Sequence, residues 1–151
     1  MEEKIKKARN FRNYKVWQDA VAYATKVYKV TSEMPWFEKK GLCDQLQRAA
    51  VSISSNIAEG AARSSDADFA HFLDFALGSA FEVETQLLIA RNVGYIKNGN
   101  DDDDDDDDDN LNDNPNDNLN DNNVVTYEEL LSELQDIERQ INGLINNIRN
   151  S

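Results

Sequence analysis

Acid–base chemistry in this chain would have to run through His71, the only histidine among its 151 residues. It lies between Phe69 and Phe72 in an apolar run, with no second histidine and no cysteine cluster to complete a metal site. A general base also needs a nucleophile and an orienting acid, and Ser52, Ser54 and Ser55 resemble such partners in type only. His71 is therefore read as a satisfied or exposed helical histidine. A di-metal bundle site needs Glu-x-x-His on two helices and an inward Glu on two more. Glu59, Glu82 and Glu84 are present, but no Glu-x-x-His occurs. Neither a phosphate-cradling glycine loop nor a Gly-x-Ser-x-Gly elbow is found. The expectation is a non-enzyme with no catalytic residue, metal or cofactor.

Two polar groups have a spacing suited to binding. Lys4, Lys6, Lys7, Arg9, Arg12 and Lys15 face only Glu2 and Glu3, an excess of four positive charges in residues 1–15. Phe11, Tyr14 and Trp17 are interleaved at three-residue intervals. A basic arm over residues 1–13 would meet phosphates with its cations and stack bases on its rings. The same spacing also suits a solvated helix start with its aromatics in the core. The second group is Arg48, Asn56, Glu59 and Arg63, whose last three members can line one helix face. They form either a hydrogen-bonded network that fixes helix register or a ligand or partner site at a helix end. Cys43, the lone cysteine, sits on an apolar helical line and reads as a small buried hydrophobe.

The elements that must position these groups are helical throughout. Residues 45–63 are the centre, with no charge between Arg48 and Glu59 and with Leu42, Leu46, Ala49 and Ile53 at spacings of four and three. A helix without charge on any face packs on more than one side. Before it, Val16, Ala20, Tyr23, Val27, Val30 and Met34 form one seam, and Trp17, Val21, Ala24 and Tyr28 a second. The expected helices span about 14–34, 40–61, 65–93 and 127–149. Pro35 stops the first, and Gly60 softens the end of the second. Ser64 and Ser65 are candidate caps for the third, Ser65 with Asp68 three residues on, and Phe69, Phe72, Leu73, Ala76, Leu77, Ala80, Val83, Leu87 and Leu88 lie on one face. Gly94 ends it, and Thr126 with Glu129 makes a capping box for the fourth. Four amphipathic helices without a strand pattern predict an all-α, antiparallel up-down four-helix bundle forming one domain over residues 14–151.

The net charge of −13 belongs to an insert. Residues 101–109 with Asp113, Asp117 and Asp121 hold 12 of the 29 acids, leaving 17 acids against 16 bases elsewhere. Residues 98–123 read as a self-repelling, disordered Asp/Asn tether between the third and fourth helices. They lack the glycine and glutamate register of an EF-hand, so no defined calcium site is expected. No run approaches the length of a membrane span, and the N-terminus lacks the apolar core of a secretory signal. A cytoplasmic protein without membrane contact is the expectation.

Several blocks carry a family likeness. They are Tyr14 to Ala20 (YKVWQDA); Gln45-Leu46; Arg48 to Ile53 (RAAVSI); and Asn56 to Gly60 (NIAEG). Ser65, Phe69, Phe72-Leu73, Gly78-Ser79, Glu82 to Leu87 and Gly94-Tyr95 continue it. Together they resemble the 23S rRNA intervening-sequence protein family, small bacterial four-helix bundles. The likeness covers about residues 11–96 and, more weakly, 126–149. It implies no catalytic residues. It also implies kinship with the accessory protein of diversity-generating retroelements, a ring-shaped pentamer that binds nucleic acid. Hence the expected partners are further copies of the chain, in a ring such as a pentamer, and RNA or a ribonucleoprotein, with the basic arm at the phosphates. The alternative is a protein-interaction scaffold that binds no nucleic acid. Gln47, where the family often has a second basic residue, and the acidic tract both depart from the pattern of an RNA binder.

Overall fold

The computed structural model describes residues 9–99 and 124–151. Its helices are α1 (Lys15–Ser32), α2 (Leu42–Ala61), α3 (Asp66–Asn92) and α4 (Tyr127–Arg149). Single 3-10 turns at Phe11–Asn13 and Trp36–Glu38 precede α1 and α2. Each helix packs on its chain neighbours, α4 closes back on α1, and the diagonal pairs make no close backbone approach. This is the expected up-down bundle, with no strand among the described residues. Residues 100–123, most of the tract expected to be disordered, lie outside them.

Helix ends follow local chemistry. Ser65 Oγ accepts from the Asp68 amide at 3.1 Å, and Thr126 and Glu129 form the reciprocal capping box. After α3, Gly94 takes φ +84, the Tyr95 amide reaches Ala90 O at 2.8 Å and the Gly94 amide reaches Arg91 O at 3.0 Å. That pair of bonds is the Schellman stop, which needs a left-handed residue where a side chain would clash. The first helix closes at Ser32, before the expected residue 34, yet Met34 stays buried and Pro35 starts the next turn. Glu38 then spans two gaps: it accepts from the Leu42 amide at 3.3 Å and from the Tyr95 hydroxyl at 3.0 Å. Downstream, the Tyr127 amide bonds Lys97 O at 2.9 Å, so the segments flanking the acidic tract lie side by side.

The core runs the length of the bundle through Tyr23, Leu46, Ile53, Ile57, Phe69, Leu73, Leu87, Leu130, Leu134 and Ile141. Gly60 has a different role from the expected softening of a helix end. A Cβ there would lie 2.7 Å from Phe72 Cβ and 3.0 Å from the Phe69 ring, so its absence lets α3 approach α2. The third helix also departs from a single apolar face. Leu88 is exposed, being about 100° further round the helix than buried Leu87. Phe75, Phe81 and Ile89 are each about half exposed on the outer side.

Candidate functional site: a basic end and two apolar faces

Up-down topology gathers the start of α1, the end of α2, the start of α3 and the end of α4 at one end of the bundle. Arg9, Arg12, Lys15, Arg63 and Arg149 all belong there. Arg9 is turned inward: one guanidinium nitrogen donates to Arg63 O at 2.7 Å, another pairs with Asp66, and the group lies 4.7 Å above the Phe69 ring. Lys15 donates to Asp19 at 2.5 Å, and that bond raises the ammonium pKa. Its partner Asp19 is lowered, first by Lys15 and then by the amide of Gln140. Arg12 is exposed with its guanidinium 4.5 Å over the Phe11 ring. Lys4, Lys6 and Lys7 lie outside the described residues.

The interleaved rings of this segment serve the core. Phe11 meets Trp17 edge-on at 5.1 Å, and Tyr14 lies 5.9 Å from Phe69. All three are partly buried against the hydrophobic interior. Their spacing was compatible with base stacking or with packing, and in this chain they pack. Arg9 and the three rings thus anchor the start of the described chain to the bundle.

Arg48, Asn56, Glu59 and Arg63 do not form one network. Arg48 donates to Asp44 at 2.9 Å, and Asn56 donates to Ser52 O at 2.8 Å and Ser52 Oγ at 2.9 Å. Ser52 Oγ meets Ser79 Oγ at 2.8 Å, which ties α2 to α3. Arg63 stands 4.4 Å over the Phe72 ring. Among the described residues no hydrogen bond joins the four to one another. The reasons are geometric. Arg48 and Asn56 are separated by about 12 Å of helix rise, and Arg63 lies beyond the last residue of α2, where the i, i+4 relation with Glu59 is lost.

His71 is exposed, its ring 4.5 Å from Phe75, and Phe75 meets Phe72 edge-on at 5.8 Å. Among the described residues no group of three or more His, Cys, Asp or Glu side chains could hold a metal ion. Cys43 is buried beside Met34, and burial raises its thiol pKa, opposite to the shift a nucleophile needs.

Two outward faces are more informative. One is the outer side of α3, with Phe75, Phe81, Leu88 and Ile89. The other is the α1–α2 side, where Tyr28 and Val51 flank a groove of about 640 Å³ otherwise lined by polar groups such as Asp44, Gln47, Arg48 and Glu59, with Val21 two turns away. The α1 residues belong to the second seam read from the sequence. The α3 face was not singled out there, although its signal was present: this helix has more large apolar residues than one stripe can hold.

The chain matches the family model for the 23S rRNA-intervening sequence protein over residues 12–107, more than half its length. It belongs to that family. Its fold is similar to the crystal structure of a protein of unknown function from the S23 ribosomal protein family of Bacteroides thetaiotaomicron. The TM-score is 0.65 at 20% identity, covering 87% of this chain and 95% of that one. Among curated proteins none matches the chain. No helix among the described residues is long and apolar enough to cross a membrane.

Proposed function

We propose that this family member is a non-enzymatic bundle that self-associates head to tail and works in association with ribosomal RNA. The observation that carries the assembly is a pair of unlike outward surfaces: large apolar side chains on α3, and Val21, Tyr28 and Val51 set among polar groups on α1–α2. A two-fold dimer uses one patch twice, whereas a closed ring needs two different patches that meet. Phe75, Phe81 and Ile89 on one copy would cover Val21, Tyr28 and Val51 on the next. A five-membered ring is the arrangement drawn from the resemblance to the retroelement accessory protein. The rRNA association draws support from the family's description. Within the chain it rests on Lys4, Lys6, Lys7 and Arg12, with Arg9 as the anchor that aims the arm.

Light scattering on the full chain at moderate salt tests this. The expected mass is a defined multiple of 17.1 kDa, and Phe81→Glu should lower it to one copy. Adding a 23S rRNA fragment should raise the mass, the gain should fall steeply with salt, and reversing the arm charges should abolish it. A wild-type monomer would overturn the assembly. A second reading, a scaffold that binds no nucleic acid, is favoured by one observation: Arg9 and Lys15 spend their charges on Asp66 and Asp19. Under it the oligomer forms and ignores RNA, even when residues 98–123 are removed.

A further inference from the structure

The seam between α3 and α4 runs antiparallel. Near one end Arg149 clamps Asp74 through both guanidinium nitrogens, at 3.4 and 2.5 Å. Near the other, the Arg91 guanidinium lies 4.8 Å over the Tyr127 ring. Both contacts are complementary. Midway, the same seam brings Glu84 and Glu138 together within hydrogen-bonding reach. Two carboxylates there would repel across a packed seam, and ordinary selection of cross-helix pairs disfavours that.

Cations relieve the conflict little: the charge of Arg139 opposes the rise at Glu138 but ranks behind burial and Glu84. From α1, the Tyr23 hydroxyl faces the pair but donates to Leu130 O at 2.8 Å. On α4, Arg139 turns to Asp136 at 3.5 Å, and Glu133 is taken by Lys26 of α1. α3 contributes Glu84 itself, and α2 sits on the diagonal with no close backbone approach to α4. One oxygen of Glu138, Oε1, is fully enclosed and has no donor at all. An enclosed carboxylate oxygen without a donor bears a desolvation cost that protonation removes.

We propose that Glu84 and Glu138 share one proton, which latches α3 to α4 and is released to water as pH rises. Protonated, Glu138 donates an O–H to the Glu84 carboxylate, and the mismatch becomes a charge-assisted hydrogen bond. Deprotonated, the pair repels and the seam loosens beneath Phe81 and Leu88, which flank Glu84 on the outer face of α3. The latch holds whether or not the chain binds RNA.

Burial, then the hydrogen bond and charge of Glu84, push Glu138 up from 4.5 to about 7, with Arg139 opposing weakly. The linkage sign follows. An acid held above its unfolded pKa binds its proton more tightly when folded. The stabilisation is therefore complete below about 4.5, falls as pH rises towards about 7, and levels off above it.

Thermal unfolding of the full chain between pH 5 and 8.5, wild type against Glu138→Gln at one concentration, tests the latch. The amide of the variant donates permanently and does not titrate. The expected result is a midpoint difference that is small at pH 5 and grows in favour of Glu138→Gln up to about pH 7. Parallel curves would overturn the proposal. Carboxyl-carbon NMR on the wild type gives an answer independent of the variant's folding. A Glu138 titration midpoint near 7, lowered by Glu84→Gln, is expected, whereas a wild-type midpoint in the ordinary carboxylate range refutes the shared proton.

Discussion

Two seams of this bundle are built on opposite rules. Between α2 and α3 the Ser52 hydroxyl meets that of Ser79, small residues such as Ala49, Ala50, Ala76 and Ala80 are buried on the two helices, and at Gly60 the backbones close to the point where a single Cβ would collide with Phe72. Between α1 and α4 the residues are long and charged. There Lys26 reaches Glu133, Gln140 reaches Asp19, and Tyr23 extends its hydroxyl to Leu130 O. A groove of about 570 Å³ remains beside them. Small side chains bring helices together through dispersion summed over many atoms; long ones hold them at arm's length through a few polar contacts. The first seam tolerates no added volume, and the second tolerates loss of almost any one contact.

Gly60→Val should break the tight seam most severely. Its branched side chain meets Phe69 and Phe72 with no room to retreat, at a cost of about 3 kcal/mol, visible as a lower urea midpoint with an unchanged slope. An unaltered midpoint would mean that α3 does not approach α2 here. Tyr23→Phe is the strongest single test of the open seam. It removes the buried O–H donor to Leu130 while keeping the ring, and should cost about 1 kcal/mol. Hydrogen exchange should locate the loosening in α1 and α4 and leave α2 and α3 protected.

How far these seams were legible in the sequence depends on what sets each. Local rules read well: Ser65, Gly94 and the Thr126–Glu129 box stand at the helix ends they were expected to mark, because capping depends on residues a few positions apart. The charge-free stretch of α2 correctly announced a helix packed on two sides. Gly60 did not announce a close approach, since the ring it accommodates belongs to the next helix and only the folded register brings Phe72 against it. The polar group on α2 failed for a related reason. Spacing put Asn56, Glu59 and Arg63 on one face, but the helix ends at Ala61 and releases Arg63 to lie over Phe72. Glu84 entered only as a carboxylate with no Glu-x-x-His beside it, because its approach to Glu138 depends on how α4 packs against α3. The outer face of α3 was legible as an excess of large apolar residues and was folded too readily into one stripe. As for the basic arm, composition located it, but nothing local predicted that Arg9 would be spent on Asp66.

The smallest effect expected is at Lys26, and its smallness is informative. The ammonium of Lys26 meets Glu133 at 2.5 Å, but both side chains are substantially exposed, at 33% and 44%. Water screens such a pair, and ordering two flexible side chains offsets much of the attraction, so Lys26→Met should change stability by less than about 0.5 kcal/mol. The methionine keeps most of the apolar stem, which isolates the charge from the packing. Raising the salt concentration should shrink even this difference. A loss several times larger, insensitive to salt, would mean that the α1–α4 groove is drier than its exposed rim indicates. The open seam would then be held as firmly as the closed one, by charge instead of by contact.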